Sequence, residues 1–337
     1  MQRTVYFFGV LMLGVHVAAS PASSPSRTIG SIDFFGLRTV AEASIRKHLP
    51  FKEGDALMDK EHRPDGATIA KAAGVSQVTL VFICCTPDQK VQAYVGVAEK
   101  PVRQTRTPPV FTGAARLPEE MIRADDEYGA QVREGLTQGK AGEEHSQGHA
   151  LAENFPPLRA VQQKFIDYAR EHAAVATEVL ATSADARHRA VAAVILGYAA
   201  DKRAAAAALI RGVADSDDGV RNNATRALGV IAEYAAAHPE LGIHIDPEPF
   251  VEMLNSVVWT DLNKADMVLM QLTASREPGL IKLLRERARP TLIDICRWKN
   301  PGHSSAGCVI LRRVEGLPDF SGPDPRTEVL RKVGSGG

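Results

Sequence analysis

The sequence predicts an α+β N-terminal module of order β-α-α-β-β followed by an all-α array of stacked helical hairpins. Three observations carry this. The segment Asp217-Asp218-Gly219-Val220-Arg221-Asn222-Asn223-Ala224 to Ile231 joins a helix-start signal to an apolar stripe at 220, 224, 227, 228 and 231. A weaker copy lies 32 residues upstream, where Asp185, Arg189, Ala192, Leu196 and Gly197 match Asp217, Arg221, Ala224, Leu228 and Gly229. Self-similarity at that period marks helix pairs that cover each other's apolar sides. Upstream, two runs rich in β-branched residues, Gln77 to Cys85 and Val91 to Glu99, flank the turn Thr86-Pro87-Asp88-Gln89.

Residues 1–19 read as a secretory signal peptide. Arg3 supplies the positive charge, Thr4 to Ala19 is short for a membrane span, and Val17-Ala18-Ala19 offers small residues for cleavage before Ser20. Residues 20–27 are a Ser/Pro-rich lead-in expected to lack structure. The mature chain is therefore expected to be exported, periplasmic or secreted, with no integral membrane domain. Forty basic residues balance forty acidic ones, which leaves no net field to attract nucleic acid. A composition of 45% hydrophobic and 24% charged residues argues against wholesale disorder and multiple membrane spans.

The α+β module covers 28–100. Ile29 to Gly36 alternates as a strand. Val40 to Leu49 has helical spacing at 41, 45, 48 and 49 and stops at Pro50, and Gly66 to Ala73 forms a second short helix. This order, with Ile32-Asp33-Phe34-Phe35-Gly36, Ile45, Leu49 and Gly54-Asp55, resembles the POTRA domain. The resemblance implies a module that binds other polypeptides outside the cytoplasm, often at a strand edge. No ten-residue alternation of a membrane barrel follows it.

Residues 101–157 form a connector with one helix, Pro118 to Thr137, and a Gly/polar loop from Gly139 to Gly148. The array spans 158–317. Its first helix carries Val161, Phe165, Tyr168, His172, Val175 and Val179 as a core-facing seam. The next helices are Ala186 to Ala199, Arg203 to Val213, Val220 to Ala236, Pro249 to Trp259, Leu262 to Thr273, Gly279 to Arg287, Pro290 to Trp298 and Ser304 to Gly316. The tail, 318–337, is expected to be disordered. The array is similar to HEAT repeats, which implies an α-solenoid with a face for another macromolecule. The resemblance also implies that Asp217 or Asp218 with Arg221, and Asp185 with Arg189, stitch neighbouring turns as structural residues.

Export permits disulfides. Cys84 and Cys85 adjoin in a strand and point to opposite faces, so they are not expected to pair with each other. Cys296 and Cys308 lie in two helices of one hairpin, where a bridge is feasible and two buried thiols are equally compatible. Glu144, His145 and His149 form the tightest cluster of metal-ligand types. Gly139, Gly142 and Gly148 oppose a helix that would present both imidazoles together, and HExxH order is absent, so a plain polar loop is expected. Gly302-His303-Ser304-Ser305-Ala306-Gly307 misses the G-x-S-x-G spacing at Ala306 and follows a helix rather than a strand. No catalytic residue and no cofactor is expected.

Aromatic and arginine side chains on one face of the array are the candidate contacts for a partner. The set is Arg221, Asn222, Asn223, Trp259, Asp261, Asn263, Lys264, Arg297, Trp298 and Lys299. The competing reading has both indoles filling gaps between repeats while Asp261 caps a helix. The expected function is a non-enzymatic scaffold that holds another protein or peptide on the solenoid face. The alternatives are assistance to outer-membrane or secretion assembly through the first module, or a metal-dependent enzyme using the 139–149 loop.

Overall fold

The computed structural model describes residues 27–84, 86, 88, 90–101, 109–140, 142–320, 324 and 326–334. The expected signal peptide, nearly all of the lead-in, part of the connector and part of the tail lie outside the described residues. Among the described residues no helix is long and apolar enough to cross a membrane.

The first module has strands β1 (Ile29–Phe35), β2 (Gln77–Ile83) and β3 (Val91–Ala98), with helices α1 (Glu42–Arg46) and α2 (Gly66–Ala73) between β1 and β2. Sheet order is β1-β3-β2, with β1 parallel and β2 antiparallel to β3. Alternation divides the sheet into two apolar faces. Ile32, Val78, Ala93, Val95 and Val97 pack on Ile45, Leu49 and Ile69 of the helical side. Phe35 and Tyr94 point the other way and join the core of the following helices. All eight residues of β3 are buried, as a strand covered on both faces requires.

The connector holds α3 (Glu119–Thr137) and two short strands, β4 (Glu143–Glu144) and β5 (Leu151–Ala152), which pair antiparallel where a plain loop was expected. The array is α4 (Pro156–Thr182), α5 (Ala186–Gly197), α6 (Lys202–Gly212), α7 (Asp218–Ala237), α8 (Glu248–Met253), α9 (Trp259–Leu272), α10 (Pro278–Arg287), α11 (Arg289–Arg297) and α12 (Pro301–Val314). Most limits match expectation because local caps write them: the Asp185, Asp201 and Asp217 carboxylates accept first-turn N–H groups of α5, α6 and α7. Two expectations are corrected. Trp259 opens α9 instead of closing α8. In α4, a non-helical His172 turns the buried face, so Ala176 and Leu180 are covered while Val175 is exposed. A third correction falls in the tail, where Arg326–Gly334 forms α13 and buries Val329 against α11 and α12.

Helices α5, α7 and α9 lie abreast and point the same way. Asn223 Nδ2 donates to the Ala190 carbonyl at 3.0 Å, and an atom added at Gly197 would meet the Ala227 methyl. Gly229 faces Met267 and Val268 in the same manner. Helix α6 backs α5 and α7, α8 backs α9, and α11 pairs with α12. A disulfide, Cys296–Cys308, joins α11 to α12 with Cα atoms 4.7 Å apart. Cys84 is disulfide-bonded too, and its partner lies outside the described residues.

Candidate functional site

The array's arginine motif makes contacts that run forward along the chain. Arg189 forks onto Asp215 (2.7 and 2.8 Å), and Arg221 onto Asp261 (2.9 and 3.1 Å). Each arginine also holds carbonyls of the loop before its own helix: Ser183 for Arg189, and Asp215 and Ser216 for Arg221. Asp185 and Asp217 serve instead as N-caps. The stitch therefore runs to the next repeat, which corrects the pairing that the HEAT resemblance implied.

The candidate contact residues fall into separate groups. Trp259 and Trp298 are buried beneath the sheet, with Tyr94 ring centroids 5.2 and 5.0 Å away, and Phe35 packs on Trp298 at 5.8 Å. They fasten the first module to α9 and α11 and present no free face to a partner. Arg221 and Asp261 are committed to each other, and Ser256 donates to Asp261 at 2.7 Å. On α7, Asn222 Nδ2 donates to Asn223 Oδ1 at 3.0 Å while Asn223 Nδ2 reaches to the Ala190 carbonyl of α5; on α9, Lys264 Nζ donates to Asn263 Oδ1 at 3.0 Å. Arg297 and Lys299 are exposed near the sheet, where the Lys299 backbone N–H donates to Asp33 at 3.2 Å.

Polar groups complete the seam between sheet and helices. The Tyr94 hydroxyl donates to His303 Nδ1 at 2.6 Å. Burial, aided by the Lys264 charge, pulls His303 down to about 4, so its ring is neutral and accepts. Asn300 Nδ2 donates to Gln92 Oε1 at 2.5 Å, Asp294 accepts the Gly36 backbone N–H at 3.0 Å, and Thr79 Oγ1 donates to the Val257 carbonyl. Asn300 caps α12, so the Gly302 to Gly307 stretch is a helix start.

The β4–β5 hairpin lies against α7 and reaches α4 and the start of α6. Glu143 accepts from Arg226 at 2.6 Å, His145 Nδ1 lies 2.9 Å from Glu233, and His149 Nδ1 lies 3.1 Å from the Lys202 ammonium. Glu144 pairs with Arg159 at 2.8 Å. Glu144, His145 and His149 thus take three separate partners. Among the described residues no three His, Cys, Asp or Glu side chains are placed to hold a metal. Arg226, Lys202, Tyr94 and Tyr128 matter here and were missed. The one sequence signal was Arg226, a charge between two apolar positions of α7.

On the opposite side of the first module, β2 is an outer strand, and among the described residues no strand pairs along its free edge. An open groove of about 690 Å³ lies between that strand and α2, lined by Asp65, Gly66, Ala70, Lys71, Val78 and Leu80 among others. Gly66 keeps the groove narrow at its base, since a Cβ there would stand 2.1 Å from the Val78 carbonyl. The edge offers backbone donors and acceptors, and the groove offers small apolar walls with one cation and one carboxylate at its rim. No family model matches this chain, and no curated protein matches it.

Proposed function

We propose that this chain is an exported, non-enzymatic polypeptide-binding protein that receives an extended segment of its partner along the free edge of β2. The observation that carries this reading is the outer strand beside the α2 groove, an arrangement suited to strand addition, in which backbone hydrogen bonds supply affinity and alternate side chains enter the groove. The β-α-α-β-β order with β3 in the centre supports a POTRA-like module. The abreast helices with their recurring arginine-to-next-aspartate fork support a HEAT-like α-solenoid that holds the module rigidly. Arg3, the apolar run to Ala19 and the Cys296–Cys308 disulfide all favour export to an oxidising compartment. The array's own face is the weaker candidate, because Trp259, Trp298, Arg221 and Asp261 are consumed by internal contacts.

A photo-crosslinking side chain at the exposed Gln77 tests the edge, with the same group at the exposed Lys282 as control. In the native compartment Gln77 should capture polypeptide and Lys282 should not. Adding the captured segment should slow amide exchange in Gln77–Ile83 at least about tenfold. Equal capture at both positions, or unchanged exchange in β2, would remove the reading.

A further inference from the structure

A small, partly open cavity of about 40 Å³ lies where α3, the β4–β5 hairpin, α5 and α7 meet, lined by Tyr128, His149, Tyr198, Asn223 and Arg226 together with small apolar side chains. Its polar wall carries one buried, unpartnered ring nitrogen and further donor groups. Lysine ammonium only donates, so His149 Nδ1 accepts from Lys202 and the ring hydrogen sits on Nε2. That Nε2 is buried and meets no partner among the described residues. Arg226 spends Nη2 on Glu143, which leaves Nε and Nη1 without an acceptor among the described residues, and the Tyr128 hydroxyl has none there either. Behind His149, Lys202 is 5% exposed, and among the described residues its ammonium donates only to His149 Nδ1 and the Gly197 carbonyl and pairs with no carboxylate.

We propose that this cavity is a binding site for one small monovalent anion of halide size, with chloride as its ordinary occupant. Three donor-bearing residues from three different elements line it, and the charge of Arg226 is already matched by Glu143, so the excess positive charge to be balanced is that of Lys202. A water in the same place must donate as well as accept, whereas a halide only accepts and also offsets the ammonium. The space exceeds the ~10–15 Å³ that one water needs and falls far below that of an organic ligand pocket. Bound anion would tie the hairpin to α3 and α7.

Crystals of the mature chain soaked in bromide should show an anomalous peak in contact with His149 Nε2 and Arg226. In solution, at constant ionic strength, the unfolding midpoint should rise by about 2 °C for each tenfold increase of chloride above the dissociation constant, relative to gluconate. Tyr128→Phe removes one donor without removing charge and should weaken the chloride dependence severalfold. Lys202→Met should abolish it. No bromide peak with water density in the cavity, or equal midpoints in chloride and gluconate for the unmodified chain, would overturn the site even if the lysine variant fails to fold.

Discussion

Asp266 in α9 is 1% exposed, and neither carboxyl oxygen meets a hydrogen-bond partner among the described residues. Burial raises its pKa well above the ordinary 3.8, against a smaller opposing pull from Lys264. The folded chain therefore keeps a proton that the unfolded chain releases above about pH 4. Because the folded state then binds more protons, stability declines as pH rises from that point until the folded pKa is reached. Asp266→Asn keeps the shape and removes the titration. Its urea midpoint should exceed that of the parent at pH 7, and the two should converge below about pH 4. A variant less stable at neutral pH would mean that the ionised carboxylate has a partner in solution.

Between helices, the two arginine forks have the same chemistry and different depth. The Arg189 and Asp215 side chains are 4% and 0% exposed, against 16% and 5% for Arg221 and Asp261. Removing one partner of a buried pair strands a charge, at a cost of about 3–5 kcal/mol. Water reaches the second pair and softens the loss. Arg189→Ala should therefore lower the unfolding free energy from denaturant titration clearly more than Arg221→Ala, while Lys282→Ala, on an exposed i,i+4 pair, should change it by less than about 0.5 kcal/mol. Equal losses at 189 and 221 would sink the burial argument. These forks also mark how far the sequence could be read. Asp185 and Asp217 were legible as helix starts because a cap acts within three residues. The spacing of Asp185 to Arg189 and Asp217 to Arg221 revealed the repeat but could not say which acid each arginine holds. Arg221 reaches 40 residues forward to Asp261, across a period that had already loosened. The β4–β5 pairing was hidden for a different reason: Glu143 and Leu151 carry no strand pattern, and the hairpin's contacts with Arg226, Glu233 and Lys202 lie more than fifty residues away in the chain.

Across the whole molecule, the least legible feature is the seam between the sheet and the helices. Trp259 and Trp298 could be read from the sequence either as partner contacts or as packed between repeats, because the rings that cover them, Tyr94 and Phe35, lie far upstream, and Asp33 meets the Lys299 backbone 266 residues away. Gly96 shows how close the two parts come. A Cβ there would stand 2.3 Å from the Val257 carbonyl and 2.6 Å from both the Phe35 ring and Thr79 Oγ1. The carbonyl belongs to the backbone that leads into α9 and cannot rotate aside like a side-chain tip, so added volume must separate the layers or strain β3. Overpacking of this kind costs about 1–3 kcal/mol. Gly96→Ala should lower the unfolding midpoint and shift tryptophan emission to the red, because both indoles sit directly under the sheet. The opposite face of the sheet, with α1 and α2, does not touch this seam, so far-UV circular dichroism should stay near that of the parent. A variant with unaltered emission and midpoint would show that the sheet does not seat on α9 and α11 in solution, and would detach β2 from the rigid support on which strand capture depends.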